Sequence, residues 1–250
     1  PRLCRDWSSD VCSSDLTGYF RDIRNLAGTR ADEIRLFGGA GTYSQFVNSD
    51  FGFVKGIVLT ISKRLSNNWA ATLDYTLQSA KGNASDPAAT RNLISGGQRP
   101  EIQLIRLDQD QTHTANFTFS YVSPDSWGGS IIAQYGSGFP FTPTQALNIS
   151  DLLLNSEIRP SYFNVDLRGY YDVMISDYKI SFFVRVFNLF DIANELNVYG
   201  DSGTANFTLD EYLRRQQNLP ELVNSLDEFY RNPTFYSEPR RIELGATFFF

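Results

Sequence analysis

Residues 241–250 read RIELGATFFF and alternate in polarity with a period of two. Successive side chains of a β-strand point to opposite faces, so alternate residues of this segment share a face. The face of the even positions is apolar throughout and carries Ile242, Leu244, Ala246, Phe248 and Phe250. The odd positions begin with arginine and glutamate and are mostly polar or small. The segment therefore predicts a strand with one apolar and one mostly polar face.

Six further segments alternate in the same way, four of them clearly and two weakly. They are residues 69–81, 113–121, 162–171 and 178–190, and more weakly 51–64 and 128–136. Most are longer than an ordinary globular strand of about 5 to 6 residues. Eleven residues at about 3.3 Å each and about 40° of tilt rise about 28 Å, close to the apolar band of an outer-membrane barrel, about 25 Å tall. A soluble β-sandwich also alternates, but the length of these strands disfavours it.

The connections between these strands alternate in length. Short turns at 65–68, 122–127 and 172–177 separate long polar segments at 82–111, 137–160 and 191–238. Outer-membrane barrels have short periplasmic turns and long extracellular loops, which places the C-terminus on the periplasmic side. Aromatic residues near the short turns fit an interfacial girdle: Trp69, Tyr121, Trp127, Tyr171 and Tyr178. We therefore predict an all-β, antiparallel transmembrane barrel fragment of about 7–8 long strands.

The last long connection predicts helices of its own. Thr208 and Glu211 have the spacing of a capping box, in which a hydroxyl is followed three residues later by a carboxylate. Apolar residues then recur at helical spacing on both sides of Pro220. We expect two short helices, roughly 209–217 and 220–230, in an extracellular loop.

Composition excludes several other classes of protein. The 250 residues include 22 basic and 28 acidic ones, which gives a net charge of −6, and nucleic-acid binders normally have a basic face. No apolar run approaches the roughly 18 residues of a membrane-spanning helix. A barrel is still compatible with the mean hydropathy of −0.28. In each barrel strand the apolar residues that face lipid alternate with polar ones, so the hydropathy averaged over the chain is low.

The first sixteen residues, PRLCRDWSSDVCSSDL, differ from the rest of the chain. They show neither helical nor alternating periodicity and contain both cysteines, Cys4 and Cys12, whose spacing leaves a disulfide or half of a metal site open. The segment resembles a translated sequencing adapter. We therefore predict that residues 1–16 are non-native and that residues 17–250 form the barrel piece, which begins with a strand stub at 17–21.

Five motifs in residues 17–250 resemble those of TonB-dependent outer-membrane receptors. They are the NSDFGFVKG segment at 48–56, DQTH at 110–113, SGFPFTP at 137–143, NLFD at 188–191 and the terminal block from Asn232. Their style is most similar to receptors with an N-terminal carboxypeptidase-regulatory-like domain.

The resemblance implies a barrel of about 22 strands around an N-terminal plug, in the outer membrane of a Gram-negative cell. Such receptors take up a scarce nutrient with energy that TonB delivers through a short N-terminal box. Since this chain lacks the plug and the box, TonB would act only through the missing N-terminal part, and the fragment alone would be inactive. The alternative is a passive porin-like barrel. The sequence identifies no transported ligand.

The resemblance also implies that the barrel-assembly machinery reads the C-terminal strand. The signal would comprise alternate residues: Ile242, Leu244, Ala246, Phe248 and Phe250. The same residues could instead simply face outer-membrane lipid. We expect no enzyme, cofactor or metal, because His113 is the single histidine and no nucleophile elbow or phosphate-binding loop occurs. Charged residues on the polar faces could pair for acid–base chemistry, but we expect them to line a solvated lumen or to contact the missing plug. They are the acids Asp74, Asp166 and Glu243 and the arginines Arg168, Arg185 and Arg241.

Overall fold

The computed structural model describes residues 12–30, 34–37, 41–96, 103–144, 154–176, 178–217 and 225–249. Its strands, in chain order, are β1 (Cys12–Thr29), β2 (Ile34–Arg35), β3 (Thr42–Tyr43), β4 (Phe46–Ser66), β5 (Trp69–Gly82), β6 (Ile105–Arg106), β7 (His113–Val122), β8 (Trp127–Gly136), β9 (Pro140–Phe141), β10 (Glu157–Ile158), β11 (Tyr162–Ile175), β12 (Tyr178–Phe187) and β13 (Arg241–Phe249). The helices are α1 (Ala89–Ser95), α2 (Leu209–Gln216), α3 (Leu226–Tyr230) and a 3₁₀ helix at Pro233–Phe235.

Eight long strands form one antiparallel sheet in the order β1-β4-β5-β7-β8-β11-β12-β13, with β6 added beside β5. Each strand therefore pairs with its neighbour among the long strands of the chain, which is an up-and-down arrangement. The predicted all-β fold is confirmed. The predicted stub at 17–21 is wrong in length, because β1 has 18 residues.

All the short turns lie at one end of the sheet. Asn67 and Asn68 have φ values of 50° and 72°, which suits the two-residue hairpin turn between β4 and β5. The turn expected at 172–177 is shorter than predicted, because β11 continues to Ile175. Asp172 stays within the strand and forms an ion pair with Lys179 at 2.7 Å.

The register gives the sheet two distinct faces. The face that carries Leu244, called the apolar face below, shows continuous rows across the strands. One row is Leu16, Leu59, Tyr75, Ala115, Tyr135 and Phe163, and another is Phe119, Ile131, Leu167, Val186 and Ile242. The opposite face, called the polar face, has a row that reads Thr60, Asp74, Asn116, Gln134 and Asn164.

The apolar face is not covered by other described parts of the chain. Ile242, Leu244 and Phe248 are 59%, 78% and 65% exposed. In water, such a patch would far exceed the few hundred Å² that monomeric soluble proteins expose. The predicted aromatic girdle lies on this face at the short-turn end, where Trp69 pairs with Tyr121. The arrangement suits a sheet whose apolar face contacts hydrocarbon.

Three glycines on the polar face allow aromatic rings to lie flat against the sheet. Gly245 is paired with Phe183, and a Cβ at this glycine would lie 2.3 Å from the ring. Gly128 and Gly56 are covered in the same way by Tyr170 and Tyr19. These rings shield the backbone of strands that lack a side chain at that point.

The helices lie in the long connections. The prediction of a helix at 209–217 is confirmed by α2, whose Thr208 side chain accepts a hydrogen bond from the backbone N–H of Asp210. The second helix, expected at 220–230, is described only as α3 at Leu226–Tyr230, and residues 218–224 lie outside the described residues. Within the described ranges, none of the helices combines the length and apolar character needed to cross a bilayer.

Candidate functional site

The residues of the predicted assembly signal lie on the last strand of the sheet. Ile242, Leu244, Ala246 and Phe248 project from the apolar face of β13, opposite apolar residues of β12. Phe250 lies outside the described residues. In the described part of the chain β13 pairs on one side only, with β12. An edge strand with a row of apolar side chains is able to pair with a further strand.

The polar face carries charged residues near this edge. Arg185 pairs with Glu243 across β12 and β13 with a nitrogen–oxygen distance of 3.8 Å, and Arg241 approaches the same carboxylate at 3.4 Å. Arg168 lies opposite Arg185 on β11. Asp74 does not join these charges, because it accepts a hydrogen bond from Thr60 at 2.8 Å. The predicted acids and arginines therefore line the polar face without forming a compact acid–base pair.

The NLFD motif, by contrast, fastens the base of the last long connection. Asn188 is 6% exposed and adopts a φ of 51°. Its side-chain amide donates to the backbone oxygens of Ile192 and Glu238, and its side-chain oxygen accepts from the N–H of Ile192, each at 3.0 Å. Asp191 accepts from the N–H of Arg240 at 2.8 Å. The motif therefore joins the start and the end of the connection between β12 and β13.

Other motifs fasten the same end of the sheet. Asp110 is 3% exposed and accepts a hydrogen bond from the N–H of Ala80 at 2.7 Å. The N–H of His113 donates to the Ser137 hydroxyl at 3.0 Å, which links the DQTH and SGFPFTP motifs. Asp50 accepts from the Asn83 amide at 2.9 Å. These residues organise the strand ends at the base of the long connections.

An open cleft of about 700 Å³ lies among the long connections. Its lining combines the aromatic rings of Phe139 and Phe141 with polar groups of Asp108, Asn155 and Arg159. Asn155 donates hydrogen bonds to Asp108 at 2.6 Å and to the backbone oxygen of Arg106 at 2.8 Å. The cleft is thus a partly preformed recess with apolar walls and fixed polar groups, as is usual for small-molecule sites.

A tyrosine cluster holds the helical part of the last connection. The Tyr230 hydroxyl donates to Asp210, and the Tyr199 hydroxyl donates to the backbone oxygen of Tyr230. Burial, with the hydrogen bond to Asp210, raises the pKa of Tyr230 to about 12. The hydrogen bond from Tyr230, with a smaller contribution from Arg214, lowers the pKa of Asp210. This cluster ties α2 to α3.

Across the described ranges, no three His, Cys, Asp or Glu side chains come close enough to hold a metal ion. His113 hydrogen-bonds through Nδ1 to the Tyr75 hydroxyl at 2.8 Å on the apolar face. This contact occupies one of its ring nitrogens.

A family model described as TonB dependent receptor-like, beta-barrel matches residues 5–189. The chain belongs to this family. It is an outer-membrane family of transporters and receptors rather than enzymes. None of the curated proteins matches the chain.

Two solved structures of such receptors and transporters resemble the chain. The ferric-catecholate import receptor Fiu of E. coli K12, in its closed form, shares 15% identity at a TM-score of 0.56; the match covers 97% of this chain and 26% of Fiu. The copper transporter OprC shares 18% identity at a TM-score of 0.47, over 97% of this chain and 29% of that protein. The Fiu likeness supports the barrel fold. The chain spans about a quarter of the length of Fiu.

In outer-membrane barrels generally, the face of alternating apolar residues is the one that meets lipid. The alternation of the sequence predicts this face, and the motifs at the strand ends can be recognised in the sequence. The cleft and the tyrosine cluster leave no such signal, because both depend on contacts between residues tens of positions apart. The spacing of Tyr199, Asp210 and Tyr230 has no period that would bring them together.

Proposed function

We propose that the chain is the C-terminal part of the barrel of an energy-coupled uptake receptor and is inactive by itself. The observation that carries this proposal is the open sheet, in which β1 and β13 each pair on one side within the described residues. Hydrocarbon does not tolerate unpaired backbone groups, so a lipid-facing sheet of this kind needs further strands to close. The family match and the quarter-length overlap with Fiu support the same reading.

The complete gene product would carry a plug inside the barrel, and TonB would act through that missing N-terminal part. Uptake would then require TonB and the proton-motive force. The test is nutrient uptake by cells that carry the complete gene, compared with cells that carry the same gene but lack TonB. Uptake that persists without TonB would contradict the proposal and favour a passive porin-like barrel. Expression of residues 17–250 alone should restore no uptake.

The proposed orientation places the C-terminus in the periplasm and the long connections outside the cell. It is supported by the short turns, which lie at the same end as Phe249, as expected for outer-membrane barrels. A single cysteine at Ser126, in a short turn, should resist a membrane-impermeant thiol reagent in whole cells. A cysteine at Ser202, in the last long connection, should react. The opposite pattern would overturn the orientation.

The edge strand β13 would also present the signal that the barrel-assembly machinery reads. Phe248 and Phe249 offer a matched pair, because they are adjacent phenylalanines on opposite faces. Phe248→Ala should lower the amount of folded barrel in the outer membrane, whereas Phe249→Ala should have a smaller effect. Equal losses would mean that the machinery does not read the alternation. Heat-modifiable migration on gels measures the folded fraction.

The ligand would approach the cleft between the long connections. Its mixture of aromatic walls and fixed polar groups is suited to a compact ligand that carries both apolar and hydrogen-bonding parts.

Residues 1–16 would not belong to the native protein. Cys12 to Leu16 nevertheless pair with β4, and the upstream genomic sequence tests their origin.

A further inference from the structure

Three cations converge on the apolar face at the long-connection end of the sheet. Lys81 on β5 lies directly opposite Arg106 on β6, and on its other side it lies opposite Phe53 of β4. Lys55 is two residues from Phe53, on the same face, and is therefore the diagonal neighbour of Lys81. Directly opposed residues have Cβ atoms about 4.5–5.5 Å apart, and diagonal ones about 7–8 Å. Three positive charges thus share one small patch, called the basic patch below.

The basic patch is not neutralised within the described residues. None of Lys55, Lys81 and Arg106 forms an ion pair or a side-chain hydrogen bond with any other part that the structure describes. Asp22 shares this face, but its carboxylate binds Arg24 at 2.8 Å. Like charges directly opposite each other destabilise an antiparallel pair. An external anion between them would remove that cost.

The height of the patch on the sheet indicates what kind of anion it meets. On the apolar face of β5, Trp69 belongs to the aromatic girdle at the short-turn end, and Lys81 lies twelve residues further along the strand. Twelve residues at about 3.3 Å each and about 40° of tilt span about 30 Å along the membrane normal. The hydrocarbon band of such barrels is about 25 Å tall. When Trp69 lies at one interface, Lys81 therefore reaches the headgroups of the opposite leaflet.

The neighbours of the patch suit the edge of a bilayer. The rings of Phe20 and Phe53 stack at a centroid distance of 6.4 Å directly beside the lysines. Ser79 lies opposite Lys55 and adds a hydroxyl. Below the patch, the face continues with Ile57 and Leu77. Acyl chains would follow the apolar rows while a headgroup meets the cations.

We propose that Lys55, Lys81 and Arg106 form a binding site for the phosphate groups of an outer-leaflet glycolipid. The site lies on the outside of the barrel, on the face opposite to the polar face, and it rests on the proposed orientation. Ammonium and guanidinium groups are the usual protein partners of phosphate, and the guanidinium can bind it with two hydrogen bonds. The lipid-facing position selects a membrane headgroup over a ligand from solution.

The test uses the complete gene product in nonionic detergent, titrated with lipid A as the probe and followed by native mass spectrometry. A basic residue near an anionic membrane surface contributes about 1 kcal/mol, which is about fivefold in affinity. Lys81→Gln should therefore weaken lipid A binding about fivefold, and the triple variant K55Q/K81Q/R106Q on the order of 100-fold. Arg168→Gln removes one exposed cation from the polar face and is the matched control, which should bind as the wild type does.

Several outcomes would overturn the proposal. Wild-type affinity in the triple variant, or an equal loss in Arg168→Gln, would show that the patch is not the site. Competition by inorganic phosphate alone as strong as that of lipid A would show an anion site rather than a lipid site. Heat-modifiable migration confirms folding, and Lys81→Gln alone keeps the test decisive if the triple variant does not fold. Uptake is measured in a separate experiment, so the lipid A binding result can be interpreted even when the uptake proposal fails.

Discussion

Replacement of Asn188 should open the base of the last long connection. Asn188→Ala removes three side-chain hydrogen bonds from a site that is 6% exposed. At about 1 kcal/mol each, these losses sum to about 3 kcal/mol. Alanine at the observed φ of 51° adds at least about 1 kcal/mol, because the left-handed region is unfavourable for a residue with Cβ. The total is about 4 kcal/mol.

Two other variants separate these contributions. Asn188→Gly loses the hydrogen bonds but adopts a positive φ without strain, so it should cost about 3 kcal/mol. Asn25 has a φ of 61° and is exposed, and within the described residues its side chain makes no hydrogen bond. Asn25→Ala should therefore cost only the backbone contribution of about 1 kcal/mol.

Hydrogen exchange of backbone amides in the complete gene product measures these opening free energies locally. The Ile192 amide, which donates to the Asn188 side chain, should exchange about 1,000-fold faster in Asn188→Ala, provided that exchange occurs through local opening. Amides of β13 that pair with β12 should change less. An effect of Asn188→Ala no larger than that of Asn25→Ala would refute the assignment of Asn188 as a fastener.

Two further predictions concern packing and pH. Gly245→Ala should destabilise the barrel by about 1–3 kcal/mol, because its Cβ would lie 2.3 Å from the Phe183 ring. Gly18→Ala is the control and should be nearly neutral, because a Cβ there would have no atom within 4 Å. Urea unfolding in micelles measures both changes in stability, and equal effects would contradict the packing argument. The raised pKa of Tyr230 contributes stability that is complete below its ordinary value near 10 and is lost as pH rises through about 12. Exchange of the backbone amides of α2 and α3 should therefore become faster over that pH range in the wild type. The Tyr230→Phe variant should not show this increase. A step that persists in the variant would exclude Tyr230 as its source.

Much of the sheet could be predicted from the sequence, because period-two alternation is a local signal. RIELGATFFF shows it without interruption, and β13 follows at Arg241–Phe249. For β1 the sequence predicts only a stub, because residues 12–16 resemble an adapter and a register shift between Ile23 and Leu26 breaks the pattern further along. A shift of this kind interrupts the alternation although the ladder continues.

The contacts of the strand ends could be predicted only in part. The NLFD motif can be recognised in the sequence. Its structural role depends on a hydrogen bond from Asn188 to the backbone oxygen of Glu238, which is fifty residues away. The basic patch could not be predicted from the sequence for the same reason. Lys55, Lys81 and Arg106 are about 25 residues apart in sequence, and only the strand register brings them onto one face. Local periodicity specifies which face a residue takes, whereas the neighbours across strands depend on register.

The most direct test of the central claim is the genomic sequence upstream of codon 17. The account predicts an open reading frame that continues in frame through further alternating strands, a plug domain and a TonB box, with a carboxypeptidase-regulatory-like domain before them. The codons for residues 1–16 should be absent at that junction. A gene that instead begins near Thr17 with a signal peptide would contradict the account, because a sheet of eight such strands would then be the whole barrel.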